Sequence, residues 1–150
     1  MKRRAHVSFR PQIAVKLKTP HSEQRRFIES TAKRRVVRAG RRAGKTCACA
    51  ILGVEKFLQG KRVLYVAPTE VQSGAFWSEV KGALGQAVSE GAFLKNETDQ
   101  YIEKRDTKQR IAAKTSWDPD ALRSDYADLL ILDEYQLQDP RVWSEVMAPM

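Results

Sequence analysis

Residues 38–46 read Arg38-Ala39-Gly40-Arg41-Arg42-Ala43-Gly44-Lys45-Thr46, and the fold turns on how they are flanked. Upstream, Arg34-Arg35-Val36-Val37-Arg38-Ala39 reads as a short strand. Downstream, the apolar run from Cys47 through Cys49 to Val54 reads as a buried helix ending near Gln59-Gly60. A strand, a glycine loop closed by Gly-Lys-Thr and a helix together form a phosphate cradle. Gly40 and Gly44 let backbone amides turn inward around phosphate oxygens without a side-chain clash, and the following helix points its positive end at the same oxygens. Lys45 can reach the β- and γ-phosphates as a point charge, and Thr46 supplies a hydroxyl to magnesium. Ala39 stands where the strict pattern has Gly. The expected nucleotide contact is the run Ala39-Gly40-Arg41-Arg42-Ala43-Gly44-Lys45-Thr46-Cys47.

The second half of such a site needs carboxylates, and Leu129-Leu130-Ile131-Leu132-Asp133-Glu134 provides them. Four consecutive large aliphatics suit a strand buried on both faces of a parallel sheet. In open α/β sheets ligands sit at the carboxyl ends of the strands. Asp133 is expected to hold magnesium, directly or through water. Glu134 is expected to orient and deprotonate the attacking water. Upstream of the loop, the Gln24 side-chain amide can offer one donor and one acceptor to an adenine edge. Either Arg41 or Arg42 is placed to contact or sense a γ-phosphate in cis. Arg123, in the loop entering the acidic strand, is a candidate arginine finger acting across a subunit interface; the alternative is a surface arginine paired with Asp120 or Asp125.

Composition sets the frame. The chain has 150 residues, 42% hydrophobic and 30% charged, enough for one domain with a real core. No apolar run approaches the roughly 20 residues of a membrane span. Cys47 and Cys49 exclude a disulfide framework or a cysteine-rich zinc site and read as small core residues. No apolar segment follows the basic start, so no secretory signal is read and a reducing, cytosolic setting is the default. The net charge is +9, but residues 1–45 carry 15 Lys and Arg against 2 Asp and Glu. That end reads as a polyanion-facing surface or a solvated arm.

The remaining elements follow from periodicity and breakers. Residues 1–18 look like an extended arm, with Arg10-Pro11 stopping any helix. Thr19-Pro20 is a plausible cap and first position of a short helix reaching about Ser30. A strand is expected over 61–67, a helix over 71–87, a hairpin within 99–115, a loop at 118–120, a strand over 127–132 and a short helix over 142–147. His6 and His21 have no partners at metal spacing; His21 reads as a helix-start residue. Trp77, Trp117 and Trp143 read as core or interface fillers. The fold class is α/β: a RecA-like P-loop NTPase with a mainly parallel sheet flanked by helices and an extra strand between loop and acid.

Taken together, these residues resemble the ATPase domain of large terminase subunits, the DNA-packaging motors of tailed bacteriophages. The resemblance rests on residues 19–27, which match the family's adenine motif, and on the double arginine Arg41-Arg42 inside the loop. It continues through Tyr65-Val66-Ala67-Pro68-Thr69 with Phe76-Trp77, then Leu122-Arg123, then the strand ending in Asp133-Glu134. It implies ATP and magnesium as ligands, with Glu134, Arg123 and Arg42 catalytic and Thr46 and Asp133 on the metal. It also implies double-stranded DNA bound through its backbone, a homo-oligomeric ring on a portal with a small terminase subunit, no membrane, and the host cell cytoplasm. The family often has Gly where this chain has Ser124, and it continues with a coupling strand and a nuclease domain that do not occur before Met150. The expected organisation is a basic arm over 1–18 and a partial ATPase domain, incomplete at its C-terminus, over 19–150. Two alternatives stay open. Asp133-Glu134-Tyr135-Gln136 also fits a DExx-type helicase, and a nucleotide-binding module without turnover fits an incomplete sheet.

Overall fold

The computed structural model describes residues 12–117, 119–123 and 125–147. Four helices are α1 (Ser22–Ile28), α2 (Lys45–Leu58), α3 (Glu70–Ser89) and α4 (Pro119–Leu122). Five strands are β1 (Arg62–Ala67), β2 (Leu94–Asn96), β3 (Tyr101–Glu103), β4 (Arg110–Thr115) and β5 (Leu129–Leu132). A 3-10 turn over Tyr135–Leu137 and a π-helical turn over Val142–Met147 follow. The sheet order is β2-β3-β4-β1-β5. β1 runs parallel to both β4 and β5, while the predicted hairpin β3–β4 and the added strand β2 are antiparallel.

Strand alternation divides the core. Val63, Tyr65 and Ala67 of β1 face one way and pack with Val54 and Phe57 of α2 and Phe76, Val80 and Leu84 of α3. Leu64 and Val66 face the other way, against Leu122, Ala127 and Val142. Gly53 permits the close approach of α2: a Cβ there would lie 3.3 Å from Ile111 Cδ1 and 3.4 Å from the Phe76 ring. Residues 12–18 extend along α3, where the Lys16 amide donates to the Ala83 carbonyl (3.0 Å) and Lys18 pairs with Glu79 (2.6 Å). The rest of the expected arm, residues 1–11, lies outside the described residues, as do Asp118 and Ser124.

Four expectations are corrected. Residues 34–39 do not form a strand. Arg35 instead turns back to donate to the Phe27 and Ile28 carbonyls at the end of α1, while Val36 is 98% exposed. An extended segment with neither a pairing partner nor an apolar surface to bury has nothing to hold it in a sheet. The strand buried on both faces is β1, of which five of six residues are buried; in β5 only Ile131 is. The outer edge of β5 has no partner among the described residues. Helix α1 starts two residues later than expected, because the His21 ring accepts the Gln24 amide and the Gln24 side chain accepts the His21 amide. That capping box outcompetes Thr19 as the cap. Finally, α4 begins at Pro119, inside the loop expected at 118–120. Trp77 is core, and Trp117, expected as a core or interface filler, is 88% exposed and so not core.

Candidate active site

Residues 39–46 form a loop closed by α2. Gly44 sits at φ +75°, a left-handed conformation that glycine adopts at little cost, and its carbonyl accepts from Gln24 Nε2 at 2.9 Å. A Cβ on Gly44 would come within 2.4 Å of that same nitrogen. His21 Nε2 lies 3.3 Å from the Ala43 carbonyl oxygen. The helix start α1 thus clasps the loop from outside. Arg42 also takes a positive φ, 63°, and Arg41 and Arg42 are both exposed. Cys47 packs beside Ile28, Ile51 and Leu52. Burial pushes the Cys49 thiol up to about 12, with the nearby Asp133 charge adding to the effect, so it remains a neutral core side chain.

The acidic pair is delivered by β5. The Asp133 amide donates to the Val66 carbonyl at 2.9 Å, extending the parallel pairing with β1 by one residue. Glu134 then takes φ 46° and ψ 44°, left-handed and costly for a residue with a Cβ, on the order of 1–3 kcal/mol. That bend turns the Glu134 side chain back toward the glycine loop. Lys45 Nζ lies 3.2 Å from Glu134 Oε1 and also donates to the Ala39 carbonyl at 3.3 Å. Both side chains are less than a third exposed. Gln136 donates to the other Glu134 oxygen. The Gln136 hydrogen bond first, then Lys45, with Arg41 adding a smaller charge effect, hold the Glu134 carboxyl below its ordinary 4.5.

Asp133 is fixed at both oxygens. Oδ1 accepts the Glu134 amide at 2.9 Å, and Oδ2 accepts the Tyr65 hydroxyl at 2.5 Å. The Thr46 side chain lies near the same hydroxyl. Burial, then the bond to Asp133, raises the Tyr65 phenol above its ordinary value, so it stays protonated. Thr46, in the first turn of α2, and Asp133, just after β5, both lie near the Tyr65 hydroxyl. A hydroxyl and a carboxylate are hard oxygen donors of the kind magnesium prefers, and magnesium commonly uses one or two carboxylates plus substrate phosphates. The donor set fits that ion. Among the described residues no group of three or more His, Cys, Asp and Glu gathers as an all-protein metal cage.

The expected residues are thus partly brought together. Ala39, Lys45, Thr46, Asp133 and Glu134 meet, and Gln24 reaches the loop at Gly44. Arg123 is half-exposed and pairs with Asp120 at 2.8 Å, the alternative the sequence had left open. Two contributors escaped the sequence reading. Tyr65 is a polar tip in an otherwise aliphatic strand, and a buried phenol must find a partner. Gln138 is buried and donates to the Asp133 carbonyl (2.7 Å) and the Val66 carbonyl (3.2 Å), clamping the strand ends that carry the acids. Nothing in its local sequence marks it.

No family model matches the chain. The chain is 30% identical to the large terminase subunit of Thermus virus P23-45 over 87% of its own length and 30% of that protein's. The large terminase subunit of Thermus phage G20c matches equally, at 30% identity over the same shares. The chain therefore spans about 30% of the length of these curated relatives. Among solved structures, the large terminase ATPase domain of Thermus phage P74-26 superposes with a TM-score of 0.75 at 25% identity, covering 87% of this chain and 59% of that one. The similarity read from the motifs is borne out in sequence and in fold. Among the described residues no helix is long and apolar enough to cross a membrane.

Proposed function

We infer that this chain, which matches the ATPase domain of large terminase subunits in sequence and fold, binds and hydrolyses ATP to drive double-stranded DNA into a viral capsid. The observation that carries the reading is the 3.2 Å pair between Lys45 and Glu134, groups 89 residues apart that two independent motifs had assigned to one triphosphate. In the proposed site the loop amides, the start of α2 and Lys45 receive the β- and γ-phosphates. Thr46 and Asp133 would hold magnesium, which when bound neutralises phosphate charge. Glu134 is the base for the attacking water. Its depressed pKa makes it a poor base while Gln136 and Lys45 hold it; phosphate oxygens that draw Lys45 away would restore part of its basicity, with the Gln136 bond still in place. Gln24 has spent one of its two amide hydrogens on Gly44 and one acceptor position on His21, so one of each remains for an adenine edge.

Arg41 or Arg42 is proposed to contact the γ-phosphate. Arg123 can serve a neighbouring subunit only by leaving Asp120. The basic N-terminal residues are proposed to meet DNA backbone without reading bases. A ring of copies on a portal, with a small terminase subunit, belongs to the same proposal, as does action in the host cytoplasm. The terminase matches favour this motor over the helicase reading of Asp133-Glu134-Tyr135-Gln136. Binding without turnover is a second reading, favoured by the unpaired outer edge of β5 among the described residues.

One experiment separates these. The purified chain is titrated with a fluorescent ATP analogue, and phosphate release from ATP is followed with and without double-stranded DNA. The motor reading predicts binding and release. Binding with no release under either condition selects the second reading, and no binding contradicts both.

A further inference from the structure

We propose that Tyr65 is a positioning residue for the metal end of this site, its hydroxyl setting the orientation of the Asp133 carboxylate. The proposal rests on the nucleotide-site reading above and adds a residue that neither motif contains.

Tyr65 lies on β1, between β4 and β5, with Ala113 and Ile131 as its register partners. Its side chain is fully buried on the α2–α3 side of the sheet. The ring stacks on Phe76 of α3, with centroids 4.0 Å apart and planes within 4°. Held on both sides, the ring has little freedom, so its oxygen has a fixed position. That position lies 2.5 Å from Asp133 Oδ2, a group 68 residues away in the chain. A buried phenol is costly unless hydrogen-bonded, and Phe would fill the same volume more cheaply if packing alone were needed.

The consequence falls on Asp133. A rotating carboxylate would present either oxygen in several directions. Here Oδ1 is tied to the Glu134 amide and Oδ2 to the phenol, so the carboxylate plane is set. An ionised carboxylate has about four acceptor positions, so two such bonds leave lone pairs, in a fixed plane, for a metal. Partners one step behind a metal ligand orient it, and their loss typically costs roughly 10–100-fold in metal affinity or activity.

Tyr65→Phe keeps the ring and its stacking and removes only the oxygen. The test is binding of a fluorescent ATP analogue across a magnesium titration, together with the melting temperature of the free chain. Tyr65→Phe is expected to raise the magnesium concentration for half-maximal effect by about tenfold, while affinity measured in EDTA is unchanged. Packing loss alone would lower the melting temperature without moving the magnesium midpoint. On an Asp133→Asn background, Tyr65→Phe should move the midpoint no further, because its effect passes through that carboxylate. An unshifted midpoint in Tyr65→Phe, or a full additional shift on the Asp133→Asn background, overturns the role of Tyr65 and leaves the nucleotide site standing. If the unmodified chain binds the analogue with no magnesium dependence, both readings fall.

Discussion

Glu134→Gln should lower ATP turnover by roughly 10²–10⁴, the usual contribution of a positioned general base, and should leave ATP binding intact or tighter. The reason for the second half is specific to this site. In the structure Lys45 is shared between the Ala39 carbonyl and the Glu134 carboxylate. ATP must win Lys45 from that carboxylate, and a neutral amide competes less well. Steady-state phosphate release and titration with a fluorescent ATP analogue check the two halves separately. Equal turnover in the variant and the unmodified chain would remove Glu134 from the chemistry. The pH dependence has a definite sign. A carboxyl held below its ordinary 4.5 favours the pair above that range, and the pair is lost as pH falls through the depressed value. Without nucleotide, the Glu134 side of the Lys45–Glu134 pair therefore stays charged at neutral pH and is lost on acidification.

Lys45→Ala should have the next largest effect, and it acts on binding. A hydrogen bond to a charged partner contributes about 1.5–3 kcal/mol, which corresponds to roughly a tenfold to hundredfold loss of affinity for ATP. The loss should shrink as phosphates are removed, with AMP affected least, because the ammonium serves the β and γ positions. The melting temperature should change little. A partly exposed ion pair contributes modestly to stability, and so does the second Lys45 bond, to the Ala39 carbonyl. Unchanged ATP affinity with an intact melting temperature would contradict the role given to the loop.

The strongest local chemistry was legible before any coordinates. Gly44-Lys45-Thr46 followed by an apolar run could only open a helix, and α2 begins at Lys45. Pro68 ended β1 where expected, and Asp133-Glu134 followed β5. What failed depended on partners distant in sequence. The pattern Val36-Val37 has strand propensity, but a strand needs a neighbour, and Arg35 is taken by the carbonyls ending α1. The aliphatic run of β5 looks doubly buried, yet burial depends on what lies beside it, and β1 took the central place. Thr19-Pro20 was a reasonable cap by residue type, but the reciprocal His21–Gln24 bonds satisfy two amides where Thr19 offers one. Tyr65 meets Asp133 across 68 residues, a pairing no local pattern encodes. The site's motifs were thus readable, while the residues that orient them emerged only from tertiary contact.

The central claim is that residues 39–46 and 133–134 hold one triphosphate. A crystal structure of the chain with magnesium and a non-hydrolysable ATP analogue tests it most directly. The γ-phosphate is expected between Lys45 and Glu134, with Lys45 withdrawn from the carboxylate onto phosphate oxygens and Thr46 and Asp133 together on the metal. A nucleotide bound elsewhere on the chain, with the Lys45–Glu134 pair still closed, would contradict it.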